Sequence, residues 1–186
     1  HGSNANEKLV GMFQTIVQHW RLSVLPCGIL LGLAACAGLP DPAARRDLAQ
    51  SAAPAGFHPR TISTNEFDLF ALLPSGFAAG PDGTLTVFIE GDGYSYVSKT
   101  QPSSDPTPVR QTVISLLPAD GRHDVAYLAR PCQFAGPAPR HCDRTLWTGA
   151  RYSERVIDSM GQALSLLVAE AHATHVKLIG YSGGGV

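Results

Sequence analysis

The stretch VKLIGYSGGG, residues 176–185, decides how the rest of the chain is read. VKLI is a short aliphatic run that suits the middle of a sheet. GYSGG, residues 180–184, fits G-x-S-x-G directly behind it. A serine on a sharp strand-to-helix turn takes a strained backbone conformation, and small residues two before and two after it, Gly180 and Gly184, keep neighbouring chain from colliding. Ser182 is therefore the candidate nucleophile. A Gly-rich phosphate loop is the competing reading, since Gly180, Gly183 and Gly185 also satisfy G-x-x-G-x-G. The dinucleotide fingerprint G-x-G-x-x-G and the Walker Gly-Lys-Ser/Thr are both absent from the stretch.

Upstream, Val156, Ile157, Met160, Ala163, Leu164, Leu167, Val168 and Ala171 recur at helical spacing, with Ser153 as the expected N-cap. Residues 84–90 (TLTVFIE) and 124–129 (DVAYLA) read as interior strands, and 176–180 as a third. Residues 67–73 (FDLFALL) form an opening strand with 60–63 as its partner, and 109–117 is expected to be a short helix stopped at Pro118. Buried strands alternating with helices predict an α/β fold with a mostly parallel sheet.

A second element lies after the first interior strand, where FIEGDG (88–93) places two glycines around Asp92. Together with the turn at Ser182, this resembles the nucleophile elbow and oxyanion loop of the α/β-hydrolase superfamily. More widely EGDGYSY, SSDPTP (103–108), YLARPCQF (127–134), Cys142, LWT and RYS, in this order, resemble uncharacterised bacterial α/β-hydrolase-like lipoproteins over about residues 84–185. The resemblance implies a serine hydrolase that cleaves an ester, thioester or amide-type acyl bond of a small-molecule or acyl substrate. Neither cofactor nor metal is implied. Ser182 would attack within an elbow of Gly180, Tyr181 and Gly184, and the N–H groups of Asp92 or Gly93 and of Gly183 would hold the oxyanion. Glu90 stands where many members carry His, and the Asp92 carboxylate would repel an oxyanion unless its side chain points away. Because the acid and histidine of the triad follow the serine in this family, residues 57–186 are expected to be the N-terminal part of a longer domain, truncated just after the elbow. A non-catalytic binding or scaffold lipoprotein is the alternative, favoured by Glu90 and Asp92.

Residues 22–39 (LSVLPCGILLGLAACAGL) carry no charge and follow Arg21, which is the pattern of an export signal. Pro26 and the small residues make a permanent membrane span the weaker reading. Leu33-Ala34-Ala35-Cys36 resembles a lipobox, so residues 1–35 are expected to be an upstream extension plus signal peptide, with Met12 as a plausible start. Cys36 would then be the lipidated residue. Membrane lipid becomes a partner through that anchor, and the expected location is the bacterial cell envelope, at the outer membrane facing the periplasm. Residues 36–56, rich in Ala, Pro and charge, are expected to be a flexible tether.

In an oxidising compartment Cys132 and Cys142 are expected to form a disulfide, with a metal held by Cys132, His141 and Cys142 as the alternative. His172 and His175 flank the helix end as solvated caps, whereas His58 and His123 have no visible partner. The whole chain has 186 residues, 44% hydrophobic and 16% charged, which fits one domain and excludes general disorder. Fourteen basic against fifteen acidic residues give a net charge of -1 and exclude a nucleic-acid partner that depends on a positive field.

Overall fold

The computed structural model describes residues 41–136 and 139–186. Residues 1–35, expected to be an extension and signal peptide, and Cys36, the expected lipidation position, lie outside the described residues. Five strands, β1 (Phe57–Ser63), β2 (Asp68–Pro74), β3 (Thr84–Ile89), β4 (Val125–Leu128) and β5 (His175–Gly180), form one sheet in the order β1-β2-β4-β3-β5. The β1–β2 and β2–β4 pairings are antiparallel, and β3–β4 and β3–β5 are parallel. The fold is α/β as expected, but the sheet is mixed rather than mostly parallel. The tight hairpin joining β1 to β2 dictates the first antiparallel pair, since parallel neighbours need a longer crossover.

Period-2 alternation builds a core on each face of the sheet. Leu69, Ala71, Leu73, Leu85, Val87, Ile89, Ala126 and Leu128 pack on one side with Val156, Ala163, Leu167 and Ala171. The last four belong to α2 (Glu154–Ala171). Phe70, Leu72, Phe88, Val125 and Tyr127 face the other side, where Ala49, Val113, Ile114, Leu117 and Phe134 cover them. Ser153 occupies the N-cap of α2 without a side-chain capping bond, and His172 closes the helix in the left-handed region at φ 53°.

Four expectations are corrected. The tether is instead helical over much of its length: α1 (Pro42–Ala52) starts at Asp41, whose carboxylate accepts from the Ala44 N–H at 2.8 Å, with Pro42 in the first turn. Arg45 of α1 is buried, donates to the Thr107 carbonyl and pairs with Asp105 at 3.4 Å, which docks the helix on the domain. Residues 109–117 yield only a 3-10 turn at Ile114–Leu116, because Val113, Ile114 and Leu117 turn into the core between Pro108 and Pro118. The third interior strand is an exposed edge. Among the described residues β5 pairs with β3 alone, and Val176 and Leu178 remain 43% and 52% exposed. Finally, His58 and His123 do have partners, the Ser75 hydroxyl at 3.0 Å and the Ser75 carbonyl at 2.7 Å.

Candidate active site

The three parallel strands share a direction, so their C-terminal ends bring together residues 90–93 after β3, 129–134 after β4 and 181–185 after β5. Ligands of open α/β sheets bind along this rim. Ser182 is exposed there with φ 50°, a left-handed conformation that costs a non-glycine residue about 1–3 kcal/mol. A 3-10 turn, Ser182–Gly185, follows at once, closed by the Gly184 N–H on the Tyr181 carbonyl at 2.8 Å.

The glycines of the motif are required by close approach. A Cβ on Gly180 would fall on the Gly184 carbonyl, and one on Gly184 would fall on the carbonyls of Glu90 and Ile89. The turn and the loop after β3 are thus pressed together, and the Tyr181 N–H donates to the Ile89 carbonyl at 3.2 Å. Gly91 runs against Ser182, where a Cβ would lie 3.2 Å from the serine Cβ. Gly93 has φ 66° and passes so close to the Pro106 carbonyl that a side chain would not fit.

The loop after β3 thus meets the serine turn through Gly91 against Ser182 and Asp92 against Gly183, while Gly93 packs on Pro106 and Gln133. Among the described residues nothing accepts from the N–H groups of Asp92, Gly93 or Gly183. The Gly91 N–H, by contrast, is occupied by Glu90 Oε1 at 2.9 Å. The Asp92 carboxylate does not point away as the oxyanion reading asked; it lies against Gly183, at the place a Cβ would take. Its charge is matched by two guanidinium groups, Arg130 at 3.0 Å and Arg151 at 3.6 Å. Glu90 sits behind the loop, 3% exposed, with Oε2 accepting from the Tyr127 hydroxyl at 2.8 Å. Burial raises its carboxyl above the ordinary range, against the lowering effect of the Gly91 N–H and the Tyr127 hydroxyl. The Tyr127 hydroxyl is itself pushed well up by burial and by the neighbouring Glu90.

The sequence reading missed four residues of this rim: Arg130, Gln133, Arg151 and Tyr152. Gln133 is buried, donates to the Gly91 carbonyl at 2.8 Å and accepts from the Arg130 N–H at 3.1 Å. Tyr152 stacks under both guanidinium groups, 5.0 Å from Arg130 and 5.1 Å from Arg151. Their signal was the pair of runs YLARPCQF and RYS, which hold all four residues. Cys132, between Arg130 and Gln133, is bonded to Cys142. Bonded sulfurs remove the metal alternative at these cysteines, and His141 turns its Nδ1 to the Glu66 carbonyl instead.

None of the described histidines hydrogen-bonds Ser182. His123 and His175 stand at the opposite rim, before β4 and at the start of β5. Comparison with known family models, with curated proteins and with solved structures finds no match to this chain. Among the described residues no helix is long and apolar enough to cross a membrane.

Proposed function

We propose that the protein is a serine hydrolase of α/β-hydrolase type that cleaves an ester, thioester or amide-type acyl bond. The observation that carries this reading is the backbone of Ser182: a non-glycine residue held at φ 50° between a parallel strand and a helical turn. A nucleophile turn needs that conformation to expose Oγ at the sheet rim, and of the five described non-glycine residues at positive φ only Ser182 lies within two residues of the C-terminal end of a strand. Attack by Ser182 on the acyl carbonyl would place the developing negative charge near the free N–H groups of Gly183 and of Asp92 or Gly93. The serine needs a base within hydrogen-bond reach, which the family order supplies from chain beyond the serine. A non-catalytic lipoprotein of the cell envelope is the second reading, favoured by the carboxylate of Asp92 beside Gly183.

A fluorophosphonate probe decides between them. The product of the complete gene is expected to label at Ser182, and Ser182→Ala to abolish the label. The 186-residue chain, in which no described side chain hydrogen-bonds the Ser182 hydroxyl, is expected to label at a small fraction of that rate. Absence of label on the complete product would favour the non-catalytic reading. Full-rate labelling of the 186-residue chain would show that a base lies within it.

A further inference from the structure

Three consecutive glycines follow Ser182, and each loses more backbone freedom on ordering than any other residue would. Close packing leaves no room for side chains at Gly183 or Gly184, so the order of the turn has to come from elsewhere. Beside the backbone bonds of Tyr181 and Gly184, one side chain supplies it. Arg130 is only 8% exposed and reaches three separate segments: its Nη1 donates to the Gly183 carbonyl at 2.6 Å and to Asp92 Oδ1 at 3.0 Å, and its Nη2 donates to the Arg151 carbonyl. One guanidinium thereby joins the loop after β3 to the turn after β5.

We infer that Arg130 is a positioning residue that holds the two arms of the oxyanion site, Asp92-Gly93 and Gly183, in fixed register, while balancing the Asp92 charge that lies between them. Its chemical meaning rests on the hydrolase reading; its mechanical meaning rests on the hydrogen bonds alone. A guanidinium is needed because a planar fork serves several carbonyl and carboxylate acceptors at once, and it stays charged when buried. An ammonium keeps the charge but not the fork. Gln133, three residues on, fixes the same loop one residue earlier through the Gly91 carbonyl. The segment after β4 therefore acts as a bracket for the loop after β3 and the turn after β5, although it contributes no atom to the proposed chemistry.

The test uses Arg130→Lys and Arg130→Gln in the product of the complete gene, with Arg130→Lys as the milder change should the Gln variant fail to fold. Steady-state hydrolysis of p-nitrophenyl butyrate is read as kcat and KM separately, and hydrogen–deuterium exchange is followed over residues 88–94 and 180–186. Loss of register in an otherwise folded protein is expected to lower kcat about a hundredfold with KM changed less than about threefold. Exchange in both segments is expected to accelerate together, by about tenfold. Unchanged exchange in either segment overturns the inference whatever the activity does, and so does an unchanged kcat in a folded Arg130→Gln protein whose wild type is active. If the wild type neither turns over the ester nor labels at Ser182, the hydrolase reading falls, and coupled acceleration of the two segments still supports the bracket.

Discussion

The two rims of the parallel strands carry similar side chains and use them differently. At the N-terminal rim Arg122 pairs with Asp124 two residues on, and Asp82 accepts from the Thr84 N–H at 2.9 Å. These contacts are local, and Arg122 is 44% exposed. At the C-terminal rim Asp92, Arg130 and Arg151 join segments far apart in sequence, with Glu90 and Gln133 buried behind them. Exposed pairs contribute at most about 1 kcal/mol, whereas Arg130, only 8% exposed, depends on its acceptors because a buried charge left without partners is costly. The same residue types thus solubilise one end of the sheet and lock the other.

Glycine substitutions break this contrast most sharply. Gly184→Ala forces a methyl group onto the Glu90 and Ile89 carbonyls and is expected to cost about 3 kcal/mol by denaturant unfolding. Gly161→Ala, inside α2 with nothing within 4 Å of the new methyl, is expected to stabilise by about 0.5–1 kcal/mol. Equal effects of the two would refute the close approach of loop and turn. Next in size is the disulfide. Replacing Cys132 and Cys142 together by Ser opens a loop with a sequence separation of 10 and is expected to lower stability by about 2–3 kcal/mol. Reducing agent should shift the wild-type melting temperature and leave the double variant unmoved.

The smallest effect is a pair of opposite pH slopes. Burial raises the Glu90 carboxyl, so its contribution to stability is full below the ordinary carboxylate value and is lost as pH rises through its raised value. Arg122 lowers the Asp124 carboxyl, so that contribution is present above the ordinary value and is lost as pH falls through the lowered one. Relative to wild type, Glu90→Gln should therefore gain stability as pH climbs from about 4 to 7, and Asp124→Asn should lose less than about 1 kcal/mol as pH climbs from about 2 to 4. Unfolding curves at several pH values check both signs. Parallel slopes for the two variants would show that the rims do not differ.

Much of the fold is legible in the sequence because hydrophobic periodicity is local. The β2, β3 and β4 runs, the amphipathic face of α2 and the strand-turn junction at Ser182 are each written in a few adjacent residues. The Cys132–Cys142 bond joins two thiols a short loop apart, a pairing that the sequence spacing alone makes easy to read. What could not be read depends on neighbours distant in sequence. TLTVFI and HVKLIG are similarly apolar, yet β3 is buried between two strands and β5 is exposed beside one. Arg130 reads as a surface cation until the fold sets it against Gly183, 53 residues away. The start of α1 is legible but easily overlooked: Asp41-Pro42 is an N-cap followed by a first-turn proline, while the Ala-rich and charged composition behind it suggests a tether.

The docking of α1 has a practical side for anyone who wishes to produce this domain. A recombinant version begun at Phe57, the start of the sheet, would discard Arg45 and leave the Thr107 carbonyl and the Asp105 carboxylate without their partner. Thr107 is fully buried, and its hydroxyl also receives the Phe134 N–H at 2.8 Å, so the damage would reach the aromatic cluster of Phe70, Tyr127 and Phe134. An expression boundary set before Asp41 keeps the cap, the helix and that cluster together.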